Sequence, residues 1–171
     1  MSKLIKKISR KREEKIASDI GGRRHSGSGS QWYRKSDASN TTFQFEDKFT
    51  DKIFFTLSLS KLKKIEVEAL KVDKIPVFRF GFLGQKDAEY IVMRFKDFQF
   101  IPNGELINHS TAKIETYKRV SVRLYSDVIK TILVLSSSLY LEFSENYMHY
   151  LIIRYDVFLN LKDRIEKGEP I

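Results

Sequence analysis

The sequence predicts an α/β fold, a mixed central β-sheet flanked by helices with a C-terminal strand and helix extension. Leu4, Ile5, Ile8, Ile16 and Ile20 recur at near-helical spacing, as do Leu62, Ile65, Ala69 and Val72. Between and after them lie segments that alternate apolar and polar residues or run apolar throughout, bounded by turn residues, which read as strands. A chain ordered helix, strands, helix, strands buries its apolar faces by packing helices across one sheet. At 171 residues it suits a single domain.

The first helix covers residues 2–20 and stops at Gly21-Gly22. Residues 21–36 read as a flexible loop in which Gly27 and Gly29 allow close backbone approach to a phosphate and Ser26, Ser28 and Ser30 offer hydroxyl donors. The same composition also suits an ordinary linker. Trp32 and Tyr33 border it, as anchors to the core or as stacking partners for an unpaired base. A turn over 36–42 leads to the strand 43–49, and a second strand is expected over 54–57.

Ser58 or Ser60 caps the next helix, which runs through Val72 and carries Glu66 and Glu68. Pro76 opens the strand 77–82, and residues 84–87 turn into another, 90–95. Strands 139–143 and 148–155 pair through a turn at 144–147, and 157–167 closes the chain as a helix. Tyr90-Ile91-Val92-Met93-Arg94-Phe95 and Tyr150-Leu151-Ile152-Ile153-Arg154-Tyr155 form a faint internal repeat. Residues 1–98 read as the core of the domain. Residues 99–171 read as an elaboration that widens the sheet, supplies a dimer surface or holds a nucleic-acid arm.

Composition removes several classes. Zero cysteines exclude disulfides and Cys-based zinc sites, and His25, His109 and His149 lack ligand spacing. The basic start has no apolar signal core, and the longest apolar stretch, 129–143, is broken by Ser136-Ser137-Ser138. A cytoplasmic protein with no membrane partner is expected. No Gly-rich phosphate loop, G-x-S-x-G elbow or H-E-x-x-H is present, and no small-molecule cofactor is expected.

A net charge of +9 points to a polyanionic partner. Lys3, Lys6, Lys7, Arg10, Lys11 and Arg12 form a basic arm, followed by Arg23, Arg24, Arg34 and Lys35 and, past the strand 43–49, by Lys52. The DNA-contacting set is Arg10, Lys11, Arg12, Arg23, Arg24, Ser26, Ser28, Ser30, Lys35 and Lys52.

The chemistry centres on Asp37 and Glu46-Asp47-Lys48. Period two places Glu46 and Lys48 on one strand face, and the intervening turn brings Asp37 back as a hairpin partner. Converging carboxylates bind Mg²⁺, which keeps water positions open for a phosphate. A nearby lysine can orient or help deprotonate the attacking water and offset the phosphorane's charge.

The blocks Glu14-Lys15-Ile16-Ala17, Gly21-Gly22-Arg23-Arg24, Ser26-Gly27-Ser28-Gly29-Ser30, Lys35-Ser36-Asp37 and Glu46-Asp47-Lys48-Phe49-Thr50 lead on to Leu62-Lys63-Lys64-Ile65-Glu66-Val67-Glu68-Ala69 and Ile75-Pro76-Val77-Phe78-Arg79-Phe80. Their order resembles the phage-type Holliday junction resolvases and the archaeal ones, within the PD-(D/E)XK nuclease superfamily, over roughly residues 10–98. Ser36 stands before the Asp where a Gly is expected.

The resemblance implies a restriction-endonuclease-like fold and a Mg²⁺-dependent endonuclease, with Mn²⁺ able to substitute, that cuts four-way junctions as a homodimer. It implies metal ligation by Glu14, Asp37, Glu46 and the Asp47 backbone carbonyl, with Lys48 handling the water. The first-helix ligand stays open between Glu14, favoured by the motif, and Glu13, favoured by helical phase. A nickase or flap nuclease of the same superfamily and a non-catalytic basic DNA-binding protein are the alternatives.

Overall fold

The computed structural model describes residues 3–25, 36–98, 112–115, 120–143 and 147–167. The first half runs α1 (Lys3–Asp19), β1 (Arg23–Arg24), β2 (Ala38–Ser39), β3 (Phe43–Thr50), β4 (Phe54–Ser58), α2 (Leu59–Leu70), β5 (Ile75–Phe82), β6 (Glu89–Arg94) and α3 (Phe95–Phe98). The second runs β7 (Ala112–Glu115), β8 (Ser121–Tyr125), α4 (Ser126–Leu135), β9 (Leu139–Phe143), β10 (Met148–Arg154) and α5 (Tyr155–Lys167).

Eight strands form one sheet in the order β1-β2-β3-β5-β6-β10-β9-β7. The pairs β3/β5 and β7/β9 are parallel and the others antiparallel, so the sheet is mixed, as the sequence predicts. Strands from the second half extend the same sheet. The two look-alike segments lie side by side, with Tyr90 opposite Arg154 and Arg94 opposite Tyr150. The strand expected at 54–57 exists but leaves the main sheet, pairing as β4 with β8 in a separate ribbon.

Each sheet face has its own core. On one, Phe78, Phe80, Val92, Leu141 and Ile152 pack with Leu62 of α2, Ile129 and Leu133 of α4, and Phe55 and Leu57 of β4. On the other, Phe43, Phe45, Val77, Ile91 and Leu151 pack with Ile16 and Ile20 of α1 and Phe158 of α5. Phe158 is fully buried, its ring centroid 5.4 Å from that of Phe43 and 5.6 Å from that of Phe45 in edge-on contacts.

Two features fix the neighbourhood of the candidate site. Helix α1 ends where Gly21 turns left-handed at φ +62°, and the Gly22 N–H closes onto Ala17 O at 2.8 Å. A Cβ on Gly22 would stand 2.4 Å from Ser39 O, so glycine lets the helix exit press against β2.

Helix α2 is held by buried Leu59, Leu62, Ile65 and Ala69, yet its charges run against its own dipole. Lys61, Lys63 and Lys64 occupy the N-terminal half and Glu66 and Glu68 the C-terminal half, an order that costs about 0.3–1 kcal/mol per terminal charge at low salt.

Candidate active site

The alternation of β3 does what its sequence pattern predicts. Glu46 lies beside Phe78 and Lys48 beside Phe80, on the face that α2 covers, while Asp47 lies beside Arg79 on the opposite face. Asp37 sits just before β2, where its N–H donates to Phe45 O at 2.9 Å. Its Oδ2 accepts the Asp47 N–H at 2.8 Å, which fixes the carboxylate across the hairpin from Glu46. Lys48 Nζ lies 2.5 Å from Glu46 Oε1 and 3.6 Å from Asp37 Oδ2, and donates to the Asp47 carbonyl at 3.1 Å. Asp37, Glu46, Lys48 and the Asp47 carbonyl therefore converge.

The electrostatics follow from that crowding. Burial, and then the Glu46 charge, push the Asp37 carboxyl up from its ordinary 3.8 to about 6, although Lys48 and the Asp47 N–H pull the other way. Burial by itself would lower the Lys48 ammonium, but Asp37 and Glu46 outweigh it and hold the group above its ordinary value. Lys48 is thus a cation at neutral pH, suited to offsetting negative charge rather than to taking a proton.

A divalent cation suits this donor set. Two carboxylates held together against their mutual repulsion and a carbonyl oxygen beside them are hard oxygen donors for Mg²⁺, which needs one or two carboxylates and fills its other positions with water and phosphate. Among the described residues no three acidic or histidine side chains are grouped to hold a metal by themselves, so water and substrate would complete the shell.

The first helix offers Glu13 and not Glu14. Glu13 is largely buried, accepts from Arg24 Nη1 at 3.1 Å and Ser9 Oγ at 3.0 Å, and is near enough to Asp37 to help raise its carboxyl. Glu14 points to solvent and pairs with Arg10 at 2.8 Å, so the motif-based choice of Glu14 gives way to helical phase.

Several residues expected to meet DNA are engaged within the protein. Arg12 turns inward, its Nε 2.8 Å from Asp47 Oδ2 and its Nη1 3.0 Å from Glu89 Oε1. Arg24 holds Glu13, and Arg10 holds Glu14 in an exposed pair that yields readily to a competing phosphate. Lys11, Arg23 and Lys52 are exposed. Ser26, Ser28, Ser30 and Lys35, with Trp32 and Tyr33, lie outside the described residues.

Sequence reasoning missed the support behind the site. Arg79 is fully buried, with Nη1 2.9 Å from Asp47 Oδ1, Nη2 2.6 Å from Glu89 Oε1 but off the hydrogen-bonding angle, and its guanidinium 4.4 Å from the Tyr155 ring centroid. Arg12 and Arg79 thereby commit the Asp47 side chain to the opposite face, leaving only its carbonyl for the site. The available signal was an arginine on the inward phase of an otherwise apolar strand, which requires a buried anion.

Beside the carboxylates, a cleft of roughly 210 Å³ separates β3 from α2. Glu46, Lys48 and Phe78 line it on the sheet side and Lys61, Lys64, Ile65 and Glu68 on the helix side. Further along β2, Ser39 Oγ lies 2.8 Å from His25 Nε2 and accepts from Lys74 Nζ at 3.2 Å, continuing a polar strip to the sheet edge.

Comparison with protein-family models, curated proteins and solved structures finds no match to this chain. Among the described residues no helix is long and apolar enough to cross a membrane.

Proposed function

We propose that the protein is a Mg²⁺-dependent, structure-selective DNA endonuclease of the PD-(D/E)XK kind that resolves Holliday junctions. The observation that carries this reading is the convergence of Asp37, Glu46 and the Asp47 carbonyl with the Lys48 ammonium on one accessible point. The arrangement of α1, the β1-β2-β3 meander, α2 and β5 parallel to β3 in a mixed sheet supports a restriction-endonuclease-like fold.

Asp37, Glu46 and the Asp47 carbonyl would hold the cation, with Glu13 nearby and Mn²⁺ able to substitute. The bound cation supplies polarisation of the phosphoryl oxygen and an acidified water. Lys48, kept protonated by its two carboxylates, would orient the attacking water and offset the negative charge that develops on the phosphoryl oxygens. Arg10, Lys11, Arg23 and Lys52 supply backbone contacts, consistent with the net charge of +9.

Two equivalent strands of a four-way junction call for two sites related by a two-fold axis, hence a homodimer. The exposed Val128, Val134 and Leu135 of α4 are a suitable apolar surface for it. The test is incubation with labelled four-way, flapped, nicked and linear DNAs, with and without Mg²⁺. Metal-dependent paired incision of the four-way junction is expected. Preference for flaps or nicks gives the site to another branch-cutting nuclease, and metal-independent binding without incision leaves a non-catalytic DNA-binding protein.

A further inference from the structure

We propose that the cleft between α2 and β3 binds the phosphodiester backbone flanking the cut, through Lys61 and Lys64, and that the strand leaves over the N-terminal end of α2. This rests on the nuclease reading, since it places substrate beside Glu46 and Lys48. The cleft opens onto both residues, so a phosphate held there is adjacent to the reacting one. Its roughly 210 Å³ equals the liquid volume of about seven waters, room for a phosphate group with several of its waters.

The charge order of α2 supplies the independent argument. A helix is stabilised by acidic residues at its start and basic ones at its end, and α2 has neither. Its acidic half has a local reason. Glu66 accepts from the Tyr150 hydroxyl at 2.6 Å and from Arg94 Nη1 at 3.2 Å. Lys61 and Lys64 form no ion pair with a described residue, and the Lys61 ammonium stands 5.7 Å from the Phe55 ring centroid.

An anion in the cleft gives these two cations their partner. The attraction comes from the lysines and not from the helix end, where the Ser58 hydroxyl faces Ser60 Oγ at 3.1 Å and the Leu59 N–H donates to Val120 O at 2.8 Å. The opposite end of the cleft carries Glu68, which repels phosphate. The cleft is therefore polarised, and the backbone follows the cationic end.

Binding of the full chain to a labelled four-way junction in EDTA, measured across a sodium chloride series for wild type and Lys61→Ala/Lys64→Ala, tests this. The expected result is a log-log salt slope shallower by about one per lysine, with an unfolding midpoint equal to or above that of wild type because the dipole mismatch is relieved. Glu68→Gln is expected to tighten binding about threefold by removing one repulsive charge.

An unchanged slope in the folded double variant overturns the subsite, and weaker binding by Glu68→Gln overturns the direction of the strand. Wild-type cleavage in Mg²⁺, run in parallel, separates the two readings. An unchanged slope with active wild type rejects the subsite alone, and a shallower slope with inactive wild type rejects the nuclease and keeps the phosphate cleft. Absence of wild-type binding rejects both.

Discussion

Asp37→Asn is expected to stabilise the metal-free protein at neutral pH while stopping cleavage. Asp37 titrates at about 6 in the fold against an ordinary 3.8, because burial and Glu46 disfavour its charge. Between those values the folded chain keeps a proton that the unfolded chain has lost, so stability falls as pH rises through that window. At about 1.36 kcal/mol per pH unit the full penalty is about 3 kcal/mol, present above pH 6 and absent below 3.8. The side chain is only 13% exposed, so solvent screening removes little of it.

Asparagine keeps an oxygen for the Asp47 N–H and leaves Lys48 its 2.5 Å contact with Glu46. For a chain of this size the gain corresponds to about 6–12 °C in unfolding midpoint. Thermal or urea unfolding in EDTA from pH 4 to 8 reads it directly. The curves of wild type and variant should nearly coincide at pH 4 and separate progressively to a plateau above pH 6. A variant less stable than wild type at pH 8 would refute the electrostatic account of the site.

Glu13→Gln should reduce Mg²⁺-dependent incision more than Glu14→Gln, because the Glu13 charge reaches Asp37 while Glu14 is exposed and paired with Arg10; the reverse order in a cleavage assay would restore the motif-based choice. Arg79→Ala should lower stability by about 1–3 kcal/mol, measured by urea unfolding, because Asp47 and Glu89 lose their buried cation while Arg12 still pairs with both, and a loss below about 1 kcal/mol would show that the network is not sealed from water. Phe158→Ala should cost about 3–5 kcal/mol through the cavity left against Phe43 and Phe45, a loss the same unfolding assay reads.

What the sequence made legible follows interaction range. Helices α1 and α2 and strands β3, β5, β6, β9 and β10 were readable because periodicity and turn residues are local signals. Strands β1 and β2 have two residues each, too few for a period, and exist because the hairpin and the exit of α1 hold them. The pairing of β4 with β8 joins Phe54 to Tyr125 across a long sequence separation that no local pattern encodes. Helix α4 lies largely within an apolar run, where helix and strand patterns are hard to tell apart.

At the site, alternation placed Glu46 and Lys48 together, and helical phase favoured Glu13 even though the motif pointed to Glu14. The basic arm was misread in part for the same reason of range. Counting charge cannot show that Arg12 turns toward an aspartate 35 residues away instead of toward solvent. Arg79 was likewise visible as an anomaly in its strand, but its partners Asp47 and Glu89 were not.

The most direct measurement is single-turnover cleavage of a labelled four-way junction by wild type and Glu46→Gln, at matched folding and with binding monitored in parallel. Strict Mg²⁺ dependence of the wild type is predicted, with a loss of at least about 100-fold in the variant and junction binding retained. Incision by Glu46→Gln at the wild-type rate, or no incision by wild type in either Mg²⁺ or Mn²⁺, would contradict a metal-dependent phosphodiesterase centre at Asp37, Glu46 and Lys48.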